Sequence, residues 1–370
     1  MAGPRRNAVP GRKVTILGGG NTAFSVAARL AHTGNSICLL EHPDFTESIL
    51  EIMVTKTINL EGVLETGPVT IDEITSDPRE ALAFSDLLLL IVPAYAHKPF
   101  AELCGPYLTE DHTVVIMPGT IGSLEWKVLA SEFGAFNMTV AEVDTAPYVC
   151  RKTSSGSAII WGEVANLGMG VIPSSDTSSV KDMLQPLFPG ITAYSDSLEC
   201  GLSAMNPIVH PAGVLMNAGR VEYSRGEFYF YEEGVSGSVA KAIEAVDEER
   251  RNIGKALGYD LIPVAEAFHQ AGFGPKGQLW EVINGSHMLT RLKAPGSLDS
   301  RWLSEDIPFG ISAWSKIGEQ YGVNCPVMDS FVQIGNVVMG ADRNEGRGPK
   351  DFGIENLSIS ELQNYLQTGT

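Results

Sequence analysis

The chain has 370 residues, of which 44% are hydrophobic, and a formal net charge of −18 at pH 7. Because a domain typically takes roughly 100–200 residues, this length predicts two domains of ordinary globular composition. The acidic charge argues against nucleic acid or an anionic membrane surface as a partner, since both attract basic surfaces. The longest apolar run, Leu87 to Val92, is too short to span a membrane and predicts a buried strand.

The first residues and the cysteines bear on the cellular compartment. Residues 1–12 contain three arginines but no apolar segment with a cleavage site, so we expect a short flexible tail and no signal peptide. The five cysteines are widely spaced, odd in number and free of any CxxC pair. That spacing argues against both a disulfide framework and a zinc site, and we therefore expect a cytoplasmic protein without a structural metal.

The first half of the chain alternates short β-branched runs with helical stretches, which is typical of a parallel sheet covered by crossover helices. Gly67-Pro68 and Asp77-Pro78 are expected in loops. The pattern predicts a Rossmann-like dinucleotide-binding domain over residues 13–195. Its predicted strands are 13–18, 36–41, 86–92, 113–117 and 138–143, and its clearest helices are 20–33 and 96–107.

Beyond about residue 200, apolar residues recur at helical spacing instead. The clearest helix is 238–257, with Ser238 as its expected N-cap and Gly258 as its left-handed C-cap. Two further amphipathic segments cover 311–321 and the residues after Pro326. The sequence therefore predicts an α/β Rossmann-like N-terminal domain followed by an all-α C-terminal domain over 196–370, with the boundary between 185 and 205.

A glycine-rich turn follows the first predicted strand directly. Gly18 permits the tight turn, Gly20 lets the backbone approach a pyrophosphate, and Ala23 allows the following helix to pack on the strand. The amides at the start of this helix, at Asn21 and Thr22, would meet the phosphate charge. This strand, turn and helix predict a nicotinamide dinucleotide site.

Two later positions refine the cofactor prediction. Glu41 ends the second predicted strand, where an acidic side chain accepts hydrogen bonds from the adenosine ribose hydroxyls. Because a carboxylate repels a 2′-phosphate and no arginine follows closely, NAD(H) is the preferred cofactor, with NADP(H) as the alternative. Pro93, at the end of a later strand, is expected in the loop beside the nicotinamide ribose.

His210 has the most unusual surroundings of the seven histidines, with a proline at 207 and another at 211. We expect this segment to form a turn or a helix start, not a regular helix interior. Reduction of a C=O or C=N group needs a proton donor with a pKa near neutrality, which an imidazole provides. A structural role for a buried histidine is the competing interpretation.

The segment 302–310 is the second unusual one, because two adjacent acids interrupt its apolar residues. A carboxylate at Asp306 could orient an imidazole and favour its charged form. Asp306 could equally cap the next helix, with Pro308 early in that helix. The sequence alone leaves both interpretations open.

Three distant segments, 144–151, 206–211 and 305–310, together resemble the opine dehydrogenase family, and the resemblance extends over most of 13–340. Such enzymes join a Rossmann domain to a helical domain and reduce the imine formed between an α-keto acid, often pyruvate, and the amino group of an amino acid or amine. The resemblance implies that His210 is the acid/base residue and Asp306 its orienting carboxylate. It also implies substrate-side roles for Asn206, Thr145 and Arg151, of which Arg151 could instead be a surface arginine.

Two other functions remain open at this point. A ketopantoate- or hydroxyacid-type reductase acting on C=O shares this layout but usually relies on a lysine, and no lysine of the helical domain lies in a comparably unusual segment. A non-catalytic NAD(H)-binding sensor would need no acid/base pair. The layout also suggests a homodimer, because helical domains of this kind can bury an apolar face against a second copy.

Overall fold

The computed structural model describes residues 11–340 and 346–370. Most of the predicted tail, 1–12, therefore lies outside the described residues. The strands, numbered β1 to β12, are Lys13–Leu17, Ser36–Leu40, Thr57–Gly62, Gly67–Thr70, Glu73–Thr75, Leu87–Leu90, Thr113–Ile116, Thr139–Val143, Tyr148–Ser154, Ser157–Glu163, Leu167–Ile172 and Ile191–Ala193. The α-helices, numbered α1 to α16, are Asn21–His32, Leu50–Thr55, Pro78–Phe84, His97–Cys104, Gly122–Ser131, Thr177–Leu184, Ser197–Leu202, Asn206–Leu215, Ala218–Ser224, Gly237–Leu257, Val264–Gln270, Leu279–Asn284, Arg301–Ser304, Ser312–Gln320, Pro326–Met339 and Ile359–Thr368.

The large sheet has eight strands in the order β12-β11-β8-β7-β6-β1-β2-β5. All five predicted strands are present, and β1, β6 and β7 are buried along most or all of their length because helices cover both faces. The sheet is mixed, not purely parallel, because β11 pairs with β8 in the antiparallel direction. The strand order reverses at β1, with β2 on one side and β6 on the other. Open α/β sheets bind ligands at such a reversal.

A second sheet of four strands, in the order β4-β3-β10-β9, was not predicted. It packs on the outer side of α1. The expectation of a loop at Gly67-Pro68 is wrong, because these residues begin β4, an edge strand where a proline removes no ladder hydrogen bond. Asp77 does not remain in a loop either, since its carboxylate caps α3, which begins at Pro78.

The C-terminal part is helical, as predicted. The long helix α10 ends at Gly258 in the left-handed conformation (φ 92°). Its N-cap is Ser236 and not Ser238, since the Ser236 hydroxyl accepts a hydrogen bond from the amide of Val239. The apolar residues of this part join those on one face of the large sheet in a single core cluster. Every helix in the described part of the chain is too short or too polar to cross a membrane.

The last residues return to the Rossmann domain. Helix α16 packs beside β11, and Arg347, only 4% exposed, holds the segment before it. The Arg347 guanidinium donates to Glu125 at 2.8 Å and to the carbonyls of Thr120 and Phe309 at 2.9 Å each. Burial alone would raise the pKa of Glu125, but Arg347 and His97 outweigh it and lower the pKa to about 2. Arg347 therefore joins the two domains.

Replacing this arginine is expected to destabilise the fold. Arg347→Met leaves the Glu125 carboxylate buried without its main partner, and breaking a buried ion pair costs about 3–5 kcal/mol. Urea unfolding followed by circular dichroism measures the loss. Arg79→Met is the matched control, because Arg79 pairs with Asp77 at the surface and should change little. Equal midpoints for the two variants would contradict the assigned role of Arg347.

Candidate active site

The glycine-rich turn lies where β1 meets α1, beside the end of β6. Gly18 has a φ of 115°, and a Cβ there would lie 2.6 Å from the Val92 side chain. Gly19, which the motif did not single out, is needed as well, because a Cβ would collide with the Glu41 carboxylate. Gly20 has no atom within 4 Å of its Cβ direction. The turn is thus closely packed on two sides and open at Gly20, where a pyrophosphate would approach.

Glu41 lies at the end of β2 and is 6% exposed. Its carboxylate accepts hydrogen bonds from the His42 amide at 2.9 Å and the Ser48 hydroxyl at 3.3 Å. Burial raises its pKa, while these hydrogen bonds and the nearby Lys152 ammonium oppose the rise. The carboxylate is therefore held in place against the turn at the predicted ribose end of the site.

Strand β9 of the second sheet covers the turn. The Asn21 side chain accepts a hydrogen bond from the Lys152 amide at 2.9 Å, and the Cys150 thiol lies 4.0 Å from the Thr22 hydroxyl. The Lys152 ammonium donates to the carbonyls of Gly19 at 2.9 Å and Ser48 at 2.6 Å. Partial burial lowers its pKa to about 8, although Glu41 acts in the opposite direction. Asn21 thus positions the strand as well as the start of α1.

A cavity of about 640 Å³ extends from this turn toward the helical domain. It fits a dinucleotide, because its volume is typical of cofactor sites and it combines an apolar wall with an open backbone turn. The predicted residues Gly20, Asn21, Thr22, Glu41 and Pro93 all line it, together with Arg301 from the helical domain. Gly18 and Ala23 lie behind its wall, where they shape the turn.

His210 lies in the second turn of α8, and the expectation that this segment cannot be a helix interior is wrong. Pro207 occupies the first turn, where its missing amide costs nothing, and Pro211 stands inside the helix. The helix tolerates Pro211 because residues 207–214 are all buried, so packing replaces the hydrogen bond that its nitrogen cannot donate. The prolines therefore fix the helix that carries the imidazole.

The His210 side chain is 9% exposed, and its imidazole has a partner at each nitrogen. Its Nδ1 lies 2.7 Å from the Asp306 carboxylate and its Nε2 lies 3.2 Å from the Tyr231 hydroxyl. The Trp302 ring stacks on it, with centroids 4.2 Å apart and planes 8° from parallel. Because a carboxylate only accepts hydrogen bonds, Asp306 places the proton on Nδ1, and Nε2 can then accept from Tyr231.

Asp306 begins a π-helical segment, Asp306–Ile311, and its side chain caps no helix. The alternative of an N-cap is therefore not what the structure shows. Burial raises the pKa of Asp306, and the hydrogen bond from His210 opposes that rise. Tyr231 lies in a second π-helical segment, Phe230–Gly234. Such widened turns are rare and occur often at functional sites.

Glu305 connects this cluster to the cofactor cavity. One carboxylate oxygen accepts a hydrogen bond from the Ala94 amide at 2.9 Å, and the other pairs with Arg301 at 2.8 Å. Ala94 lies between Pro93 and Tyr95, which both line the cavity, so Glu305 connects the helical domain to the segment that follows β6. The His210 ring itself does not line the cavity and packs against Trp302 and Asp306, which follow the cavity residue Arg301 in the chain.

The three predicted substrate residues have different surroundings. Asn206 is half-buried and lies one helical turn before His210, on the same face of α8. Thr145 is buried and lies two residues after the end of β8. Arg151 is exposed on β9 and alternates with Lys152, so its side chain lies on the face away from the glycine-rich turn. The structure does not bring Arg151 together with the predicted residues in the cavity.

Sequence reasoning missed several residues that complete this site. Tyr231 carried only a weak signal, the aromatic run 228–231, and Trp302 had helical spacing to Asp306. Lys152 could have been found from the hairpin itself, because Ser155-Gly156 separates two strand-like runs. In the described residues, no group of three or more His, Cys, Asp or Glu side chains is arranged to hold a metal ion.

Two parts of the chain match known protein families, and the chain is similar to a known opine dehydrogenase. Residues 193–339 match the family described as NAD/NADP octopine/nopaline dehydrogenase, alpha-helical domain, and residues 13–117 match NADP oxidoreductase coenzyme F420-dependent. An opine dehydrogenase of Arthrobacter sp. (strain 1C) is 26% identical over 97% of this chain and 100% of its own length.

Solved structures share the whole fold. An octopine dehydrogenase in complex with NADH and agmatine has a TM-score of 0.77 at 20% identity and covers 97% of this chain and 98% of its own. A yersinopine dehydrogenase with NADP+ bound has a TM-score of 0.74 at 16% identity, covering 96% and 98%. The fold and the site define a two-domain oxidoreductase that uses a nicotinamide cofactor. Its helical part matches the octopine/nopaline dehydrogenase family, and the chain is similar over nearly its whole length to an opine dehydrogenase.

Asp144, next to Thr145, is a buried acid outside the His210 cluster. Its carboxylate accepts hydrogen bonds from the Tyr194 hydroxyl at 2.8 Å and the Gly168 amide at 3.1 Å. Burial raises its pKa to about 7, and these hydrogen bonds only partly oppose the rise. The folded protein therefore keeps a proton on Asp144 at pH values where the unfolded chain has lost it.

This proton gives the stability a pH dependence of known sign. The folded state binds more protons between about pH 4 and pH 7, so ionising Asp144 makes the free energy of unfolding fall as the pH rises. Asp144→Asn should make that fall less steep, by up to about 1.4 kcal/mol per pH unit. Urea unfolding across this range measures it, with the exposed Asp182→Asn as control. Parallel pH profiles for Asp144→Asn and the wild type would refute the expectation.

Proposed function

We propose that this protein catalyses the NADH-dependent reductive condensation of an α-keto acid such as pyruvate with the amino group of an amino acid or amine. The product is an opine-type secondary amine, and the reverse reaction oxidises its CH–NH bond. The buried His210–Asp306 pair carries this proposal, because it supplies an oriented proton carrier beside a dinucleotide cavity. The similarity to opine dehydrogenases supports the same reaction, with NAD(H) preferred and NADP(H) accepted.

His210 and its neighbours transfer and position the protons in this reaction. In the proposed reaction, the keto acid and the amine condense to an imine with loss of water, and a nicotinamide held in the cavity would supply the hydride for the former keto carbon. Asp306 holds the proton on Nδ1 of His210, which leaves Nε2 to donate or accept a proton during dehydration and amine oxidation. Trp302 fixes the plane of the ring by stacking. Tyr231 satisfies Nε2 when no substrate is bound.

The cleft between the domains supports a role for closure. An imine hydrolyses easily, so reduction benefits when water is excluded. Glu305 and Arg301 connect the segment that carries Asp306 to the cavity wall at Ala94, which is where a closing helical domain would press on the cofactor. Asn206 and Thr145 are the substrate residues we retain from the sequence. Arg151 has the weakest support, because its side chain lies on the opposite face of β9.

The lysine-based reductase has less support. In the described helical domain, Lys241, Lys255 and Lys276 are exposed, Lys293 pairs with Glu227, and Lys316 donates to the carbonyl of Gly346. None of these contacts involves the His210 cluster. The sensor has less support too, because a protein that only binds the cofactor has no use for an imidazole with both nitrogens partnered in this way.

Assembly, compartment and domain boundary remain proposals. Exposed apolar residues on α15, among them Ile334 at 52% and Val337 at 84%, support a homodimer through the helical domain. Five free cysteines, four of them buried, support a reducing, cytoplasmic location. A boundary near residue 195 is supported by the last strand of the large sheet, β12, which ends at Ala193.

The reaction is tested by following NADH consumption with pyruvate and a panel of amino acids and amines, beside pyruvate alone. Turnover should require both substrates. His210→Asn should reduce kcat by about 10²–10⁴-fold, because the proton carrier is lost, and Asp306→Asn should reduce it similarly by favouring the wrong tautomer. NADH binding should persist in both variants, since neither residue lines the cavity.

The exposed His287→Asn is the matched control and should keep full activity. Turnover with a keto acid alone would replace this proposal with the C=O reductase. Bound NADH without turnover in any mixture would replace it with the sensor.

A further inference from the structure

Lys152 has a placement that the dinucleotide motif does not explain. It comes from the second sheet, yet its ammonium lies between the Gly19 carbonyl of the turn and the Ser48 carbonyl of the segment after β2. The same ammonium lies 3.7 Å from the centre of the Phe24 ring. Strand β9 therefore delivers a cation into the wall of the cofactor cavity.

The charges of this cavity are unevenly arranged. Its cationic lining residues are Lys152, at the Glu41 end, and Arg301, which belongs to the helical domain. Arg301 already pairs with Glu305, whereas Lys152 forms no ion pair with a carboxylate in the described part of the chain. An ammonium has three donors, and the two carbonyls use two of them. The Phe24 ring faces the same ammonium, and Glu41, the carboxylate that acts on its pKa, forms no ion pair with it in the described residues.

The Glu41 carboxylate is restrained at the ribose end of the cavity. This carboxylate accepts hydrogen bonds from the His42 amide and the Ser48 hydroxyl and packs against Gly19. These contacts restrict its movement into the cavity. Lys152 is close enough for the two charges to affect each other's pKa. At the ribose end of the cavity, the hydrogen-bonded Glu41 carboxylate and the Lys152 ammonium therefore lie close to each other.

We propose that Lys152 is the residue through which this site accepts a phosphate on the 2′-oxygen of the adenosine ribose, and so admits NADP(H) beside NAD(H). The inference rests on the proposed cofactor use but not on the imine reaction. A dianionic phosphate would form a charge-assisted hydrogen bond with the Lys152 ammonium, and that attraction would offset the repulsion between the phosphate and Glu41. Because burial lowers the pKa of Lys152 to about 8, a bound phosphate would also stabilise its charged form.

The test compares binding of four probes: NADPH, NADH, adenosine 2′,5′-bisphosphate and ADP. Isothermal titration calorimetry gives each Kd without any turnover. Lys152→Met keeps an unbranched side chain at this position and removes the charge and the contact of the ammonium with Phe24. It should weaken NADPH and the bisphosphate by about tenfold or more, the value of one charge-assisted contact, and NADH and ADP by less than about threefold. Lys152→Arg should retain NADPH binding.

Two further variants separate the effect of the Lys152 charge from loss of a surface lysine and from misfolding. Lys98→Met removes an exposed lysine elsewhere on the Rossmann domain and should change neither cofactor. Lys152→Gln keeps a hydrogen-bond donor without the charge, and it replaces the methionine variant if circular dichroism shows that the latter does not fold. It should show the same loss for the 2′-phosphorylated probes.

Three outcomes would overturn the inference. If the Lys152 variants weaken NADH and NADPH binding equally, Lys152 contacts the pyrophosphate instead. If the binding of both cofactors is unchanged, its role is purely structural. If the wild type does not bind NADPH, there is no NADPH binding for Lys152 to explain. A preference for the 2′-phosphorylated probes that depends on Lys152 would stand even if no keto acid and amine mixture reacted, so this inference and the proposed function fail separately.

Discussion

The hydrogen bond between His210 and Asp306 is the contact on which the arrangement of the helical domain depends. The buried imidazole of His210 has a partner at each nitrogen, and the two partners come from segments far apart in the chain. Helix α8 must therefore be held rigidly, and its two prolines and buried surface hold it. The same segment that supplies Asp306 also supplies Glu305, which contacts the cavity wall. One short stretch thus links the proton carrier to the cofactor site.

Local rules account for what the sequence predicted well. The turn at Gly18 requires a positive φ and close backbone packing, which neighbouring residues alone dictate. Strands β1, β6 and β7 are buried apolar runs, and α10 has an uninterrupted helical period with a glycine at its end. The resemblance to a family added the pairing of His210 with Asp306, because no local rule connects residues so distant in sequence.

Tertiary packing accounts for what could not be predicted. The strands of the second sheet are half polar, and their alternation of apolar and polar residues is weak. This sheet is stabilised by packing against α1. Propensity rules argue against a helix around Pro211, but complete burial overrides them. Tyr231, Trp302 and Lys152 reach the site only through packing between elements, and single-sequence patterns carry little information about such contacts.

The two π-helical segments give the site an unusual dependence on chain length. Each holds one extra residue relative to an ordinary α-helical turn, and each places a partner of His210. Removing one residue anywhere in Asp306–Ile311 would restore α-helical geometry and rotate the following positions by about 100° around the axis. A single-residue deletion in this segment would therefore disturb the contacts of His210 more than many side-chain substitutions would. The activity of a relative with a one-residue gap here should be determined separately.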